Sequence, residues 1–154
     1  MRIHLLTVTH RVPAWVTAAY GEYAKRLPPG IQLLLTEIGA ARRGPSDTTA
    51  RRREGERVLK SIPRGAWVVA LAEQGEPWST VQLAERLAGW MNSGRPVALL
   101  VGGADGLDGR CLEAADQRWS LSPLTLPHAV SRVIVAEQIY RAWSLLSHHP
   151  YHRA

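Results

Sequence analysis

Three short stretches carry residue types and spacings that could do chemistry. The first is Gly102-Gly103-Ala104-Asp105-Gly106, set between an apolar run and a helical pattern. Glycines this dense let a backbone approach a ligand with no side chain in the way. The stretch lacks the Gly-Lys-Ser/Thr ending of a phosphate loop and stands late for a dinucleotide fingerprint, so a ligand loop and a plain tight turn both stay open. The second, Ser120-Leu121-Ser122-Pro123-Leu124-Thr125-Leu126-Pro127-His128, suits neither a helix nor a central strand because of its two prolines. A rigid loop of this kind offers main-chain donors and acceptors to a base edge while its leucines cover the ring faces; a buried connector is the other reading. The third is the tail His148-His149-Pro150-Tyr151-His152-Arg153. Imidazole, phenol and guanidinium groups stack on an unpaired base or grip phosphate. A frayed terminus is the alternative, and metal is disfavoured because no cysteine or acidic ligand lies nearby.

Charge points the same way as the tail. The formal net charge is +6, and all but two of the 19 cations, Lys25 and Lys60, are arginine. Between Arg42 and Arg64, the eight cations Arg42, Arg43, Arg51, Arg52, Arg53, Arg57, Lys60 and Arg64 face only Asp47, Glu54 and Glu56. Guanidinium groups concentrated in one segment match the two-oxygen geometry of phosphate, which suggests a nucleic-acid partner; a solvated helix face is the bland alternative.

These residues must be positioned by elements. Arg2–Val8 reads as a buried strand, and Pro13 opens a helix that ends near Leu27, before Pro28-Pro29-Gly30. Ile31–Ile38 reads as a second strand, followed by a helix over Ser46–Ser61 that puts Arg51, Arg52, Arg53 and Arg57 on or near one exposed helix. Ala66–Ala72 and Pro96–Val101 are continuously apolar, as strands covered on both faces of a parallel sheet are. Ser79 with Gln82 has capping-box spacing for a helix running to Gly94. Leu112–Gln117 reads as a short helix, Trp119–Leu121 as a short strand, and Ala129–Ser147 as a long final helix. Apolar residues on several faces of that last helix suit either an internal core helix or a symmetric dimer contact.

Strand and helix alternate throughout, which predicts an α/β fold with a mostly parallel sheet and helices on both faces. The 154 residues fit a single domain, 1–154, able to bury roughly 70% of its unfolded surface. With 45% hydrophobic and 21% charged residues, disordered and collagen-like classes are excluded. No run nears the roughly 20 apolar residues of a membrane span, and the apolar stretch after Met1-Arg2 is short for a signal peptide, so a cytoplasmic location without membrane contact is expected. The lone Cys111 has no disulfide partner and reads as a small buried apolar residue rather than a nucleophile.

Together, SLSPLTLPH (Ser120–His128) and RVIVAEQIYRAWSLLSHHPYHR (Arg132–Arg153) resemble the large-subunit rRNA pseudouridine N3-methyltransferase family of the SPOUT class. Weaker support comes from LLTVTHRVPAWV and GEPWSTVQLAERL, so the resemblance covers essentially the whole chain. It implies a deep C-terminal trefoil knot, an obligate homodimer, and S-adenosylmethionine as methyl donor. On the family pattern, the donor is held by Leu71, Gly103, Ser122, Pro123, Leu124, Thr125, Leu126 and Pro127. The implied substrate is a pseudouridine in 23S rRNA, modified on the assembled ribosome without a metal.

On that resemblance Arg153, His152 and Tyr151 are expected to orient the flipped base and stabilise its anion, with His128 or solvent removing the proton. Arg42, Arg43, Arg51, Arg52, Arg53 and Arg141 are the candidate RNA contacts. The alternatives are a SPOUT-like methyltransferase acting on tRNA or a ribose hydroxyl, and a ribosome-binding assembly factor without catalysis.

Overall fold

In the computed structural model, which describes residues 1–9, 11–42 and 47–153 (the side chain of Asp47 apart), strands and helices alternate. The order is β1 (Arg2–Thr9), α1 (Ala14–Ala24), β2 (Gln32–Gly39), α2 (Asp47–Ser61), β3 (Trp67–Pro77), α3 (Thr80–Ser93), β4 (Val97–Val101), α4 (Gly109–Ala114), β5 (Gln117–Ser120) and α5 (His128–Leu146). The five strands form one sheet in the order β2-β1-β4-β3-β5, and every pairing is parallel. The parallel sheet read from the continuous apolar runs is therefore present.

Both faces of the sheet are covered, and alternating side chains serve the two sides. Ile3, Leu5, Val69, Val97, Leu99 and Val101 pack beneath α1, α3 and α5 with Tyr20, Leu83, Leu87, Val135 and Ile139. Leu6, Val8, Val68, Ala98 and Leu100 point the other way, against Val58 of α2 and Cys111 of α4. Cys111 is fully buried, and burial pushes its thiol pKa up, so it serves as core and not as a nucleophile.

The capping box at α3 forms as its spacing predicts: Gln82 N–H donates to Ser79 Oγ at 3.1 Å, and Ser79 N–H donates to Gln82 Oε1 at 2.8 Å. Gly94 then ends the helix in the left-handed region at φ 69°.

Two elements differ from the sequence reading. α4 lies three residues earlier than expected, because Asp116 is occupied elsewhere: its carboxylate accepts from Val68 N–H and its own N–H donates to Val68 O, both at 2.8 Å. β3 also runs past Ala72 to Pro77. Leu71 and Glu76 both stand opposite Trp119, so residues 72–75 leave the ladder and rejoin it without advancing along β5. Gly75 permits the return, since a Cβ there would lie 2.8 Å from the backbone of Arg118 and Trp119.

Candidate active site

In an open parallel sheet the crevice for a ligand forms beyond the carboxyl ends of the strands. There β3, β4 and β5 hand over to the 72–75 excursion, the glycine loop and the leucine-proline loop. These three segments enclose a cavity of about 690 Å³, the size of a small-molecule site. Leu71, Gly102, Gly103, Ser122, Leu124, Thr125, Leu126 and His128 are among its lining residues.

The glycine loop is both a tight turn and a ligand wall, so the two readings of its sequence are not exclusive. Gly106 N–H donates to Gly103 O at 3.0 Å, the two residues bridge antiparallel, and Gly106 takes φ 79°. A Cβ on Gly102 would run into the backbone of Gly106 and Leu107, and one on Gly103 would stand 3.1 Å from Val8 Cγ1. On the opposite wall, Leu124 N–H donates to Ser122 Oγ at 2.9 Å, and Ser120 Oγ donates to Ser122 O at 3.2 Å. The loop thus carries its own rigidity. Trp119 forms part of the floor and is stacked on Trp78 at 4.9 Å and 14° between planes, with the Arg86 guanidinium 4.3 Å from the Trp78 ring centre.

The tail is docked rather than frayed. After Ser147, His148 takes φ 57° and reverses the chain, and His149 N–H donates to Ser144 O at 2.8 Å. Tyr151 then lies across α5. Its hydroxyl donates to Glu137 Oε1 at 3.0 Å, its ring meets Tyr140 edge-on at 4.6 Å, and Arg141 stands 4.8 Å over its face. Arg141 is held by the same carboxylate, with Nε 2.8 Å and Nη2 2.7 Å from Glu137 Oε1. His152 Nδ1 lies 3.5 Å from Arg141 Nη1, while Arg153 is exposed. Burial first, and then the bond to Glu137, raise the Tyr151 pKa, so the phenol keeps its proton.

A profile described as predicted SPOUT methyltransferase matches residues 1–152. The chain belongs to the SPOUT methyltransferase family. A relative from Thioalkalivibrio sulfidiphilus, named ribosomal RNA large subunit methyltransferase H, is 57% identical over 99% of both chains. Proteins of the same name from Hydrogenovibrio crunogenus and a Marinomonas species are 49% and 52% identical, again over 99% of this chain and 99% and 100% of theirs. A solved structure described as a probable methylase family protein from Haemophilus influenzae is similar at TM-score 0.55 and 14% identity, covering 99% of this chain and 70% of its own; that likeness concerns the fold.

Within this SPOUT methyltransferase, the residues expected at the donor site converge only in part. Leu71, Gly103, Ser122, Leu124, Thr125 and Leu126 share the cavity. Pro123 and Pro127 are exposed on the same loop, where Pro127 ends it and its carbonyl accepts from Ser131 N–H at 2.9 Å. Of the residues assigned to catalysis, His128 lines the cavity, whereas Tyr151 and His152 dock around Glu137–Arg141. At ~1.5 Å per residue that stretch of α5 lies roughly 14–20 Å from His128 along the helix axis. One chain therefore does not bring the tail to its own cavity.

The basic helix divides as well. Arg42, Arg52, Arg53 and Arg57 are exposed, but Arg57 Nη1 donates to Gly39 O at 2.7 Å. Arg51, on the same helix, is half-buried and lines the cavity. Arg43 lies outside the described residues.

Three features escaped the sequence reading. Glu137 gathers Arg141 and Tyr151, and its i,i+4 spacing to Arg141 was the available signal. Arg132 is 1% exposed, with Nη2 3.4 Å from Thr7 Oγ1 and Nη1 3.7 Å from Glu37 Oε2, a burial that an apolar helical pattern does not announce. The 72–75 excursion had only Gly75 to mark it. Among the described residues, no group of three or more His, Cys, Asp or Glu side chains is placed to hold a metal, and no helix is long and apolar enough to cross a membrane.

Proposed function

We propose that this protein, a single domain over residues 1–154, transfers the methyl group of S-adenosylmethionine to N3 of a pseudouridine in 23S rRNA of the assembled large subunit. The observation that carries this reading is the cavity, backbone-lined on its glycine side and leucine-lined on the other, in a chain about half identical over its full length to proteins named ribosomal RNA large subunit methyltransferase H. The cavity fits the donor. It has room for an adenosine and a short polar tail, and any Cβ on Gly102 would be barred by the backbone of the same turn.

Leu124, Leu126 and the main chain around Ser122 would hold the donor from one side, and Gly102 and Gly103 would let the backbone close on it from the other. The donor, when bound, supplies an electrophilic methyl carbon on a sulfonium, so the protein's main task is alignment. The target nitrogen is a protonated imide. If its pKa lies about two units above neutrality, exposing the anion costs ~2.7 kcal/mol at ~1.36 kcal/mol per unit, a deficit that a nearby cation offsets. Arg153 is the exposed cation of the tail, and the two residues before it, Tyr151 and His152, are tied to Glu137 and Arg141. His128 or solvent takes the proton, since arginine cannot.

This assignment requires a homodimer. The tail is folded on the middle of its own α5, and a second copy is what places Arg153 of one protomer at the cavity of the other. The deep C-terminal knot and the cytoplasmic location belong to the same reading, as does RNA docking by Arg42, Arg52 and Arg53 and, on α5, by the tail's tether Arg141.

Mass spectrometry of 23S rRNA from cells lacking the gene tests the reading: one N3-methylated pseudouridine should disappear and return on complementation. An unchanged rRNA modification profile would overturn it.

A further inference from the structure

We propose that Arg51 is the anchor for the α-carboxylate at the methionyl end of the donor, an inference that rests on the donor reading of the cavity. The donor is chemically uneven. Its adenosine is a neutral aromatic body suited to leucines and main-chain groups, whereas its far end is an amino acid whose carboxylate needs strong donors. Arg51 reaches this cavity while its neighbours Arg52 and Arg53 are exposed and do not line it.

The position of Arg51 is fixed by the packing of α2. Gly55 presses on Asp108, where a Cβ would come within 2.6 Å of the aspartate Cβ, and Arg110 Nη2 donates to Arg52 O at 3.1 Å. The backbone that carries Arg51 is therefore seated against the segment following the glycine loop. Its guanidinium reaches that loop directly: Nη1 stands 3.5 Å from Asp105 O, the long limit of a hydrogen bond, which among the described residues engages one of five donors and only weakly. Arg118 is the other arginine of the lining, but it is exposed and Nη2 donates to Leu112 O at 3.3 Å.

The consequence is a division of labour along one helix. Arg51 turns inward to the donor, and Arg52 and Arg53 turn outward, where RNA phosphates would be met.

Calorimetry with two ligands tests the assignment. S-adenosylhomocysteine keeps the amino-acid end, whereas 5′-methylthioadenosine has the same adenosyl thioether without it. Arg51→Ala should weaken S-adenosylhomocysteine about tenfold or more, which is ~1.4 kcal/mol per tenfold, and leave 5′-methylthioadenosine within about twofold. Arg51→Lys should restore part of the affinity, because it returns the charge without the fork. Retained binding of 5′-methylthioadenosine also reports that the altered protein keeps its cavity. Equal weakening of both ligands would make Arg51 a prop for the glycine loop, and no change in either would remove it from the site; each result overturns the proposal. If the unaltered protein bound neither ligand, the donor reading itself would fall, and that result is read before any substitution is made.

Discussion

Gly102 shows how little space separates a working loop from a broken one. A methyl group there collides with Gly106 and Leu107, partners inside the same turn, so the turn must shift while the sheet behind it need not. Gly102→Ala should abolish binding of S-adenosylhomocysteine by calorimetry and lower the melting temperature by a few degrees only. Gly89→Ala is the natural contrast. Nothing lies within 4 Å of a Cβ at that position inside α3, so the change should leave ligand binding intact and stabilise the fold by roughly 0.5–1 kcal/mol. Tyr20 offers a test by pH. Its hydroxyl is buried with no hydrogen-bond partner among the described residues, and burial pushes its pKa up to about 12, with Arg132 partly opposing the rise. An acid whose folded pKa exceeds its unfolded value favours the folded state while protonated. The contribution is therefore complete below about pH 10 and is lost as the pH climbs from there toward about 12. Tyr20→Phe should be close to neutral in urea unfolding at pH 7 and less sensitive than the parent to alkaline unfolding; equal alkaline sensitivity would show that the phenol does not drive the loss.

At the level of elements, α3 had both its beginning and its end written in local residues. Ser79→Ala removes an N-cap acceptor whose bond is seen at 3.1 Å, and should cost about 1 kcal/mol, read as a lower urea midpoint with an unchanged slope. The buried strands were equally legible, because a parallel sheet covered on both faces needs unbroken apolar runs such as AWVVALA and PVALLV. What the sequence hid were non-local pairings. The displacement of α4 comes from Asp116 reaching Val68, 48 residues away, and the 72–75 excursion comes from β3 meeting Trp119 twice. The same limit applied to the site: glycines and prolines marked its loops correctly, but the inward turn of Arg51 and the burial of Arg132 depend on how α2 and α5 pack, which periodicity does not encode. The outward face of α2 can be tested separately. Arg52 and Arg53 changed together to Ala should weaken binding to ribosomal large subunits and make log K fall less steeply with log salt, by about one unit for each phosphate left without its arginine. An unchanged slope would assign these arginines to solvent.

For the whole molecule the deciding question is where the tail meets the donor. Glu137 fixes Tyr151 and Arg141 at 3.0 and 2.7 Å, and the helix between that point and His128 is continuous, so the tail does not swing to its own cavity without giving up this cluster. In the proposed two-fold dimer, each cavity would take the other protomer's tail. Complementation tests this directly. A protein ending at His148 keeps its cavity and lacks the tail, and a Gly102→Ala protein keeps the tail and lacks the donor loop; each should be inactive alone. Unfolded and refolded together as an equal mixture, they assort at random, so about half the dimers are mixed. In each mixed dimer one site joins an intact cavity to an intact tail, which should return about a quarter of the wild-type methylation of large subunits. A tail that served its own chain would leave every dimer in the mixture defective at both sites, and the activity would stay at zero.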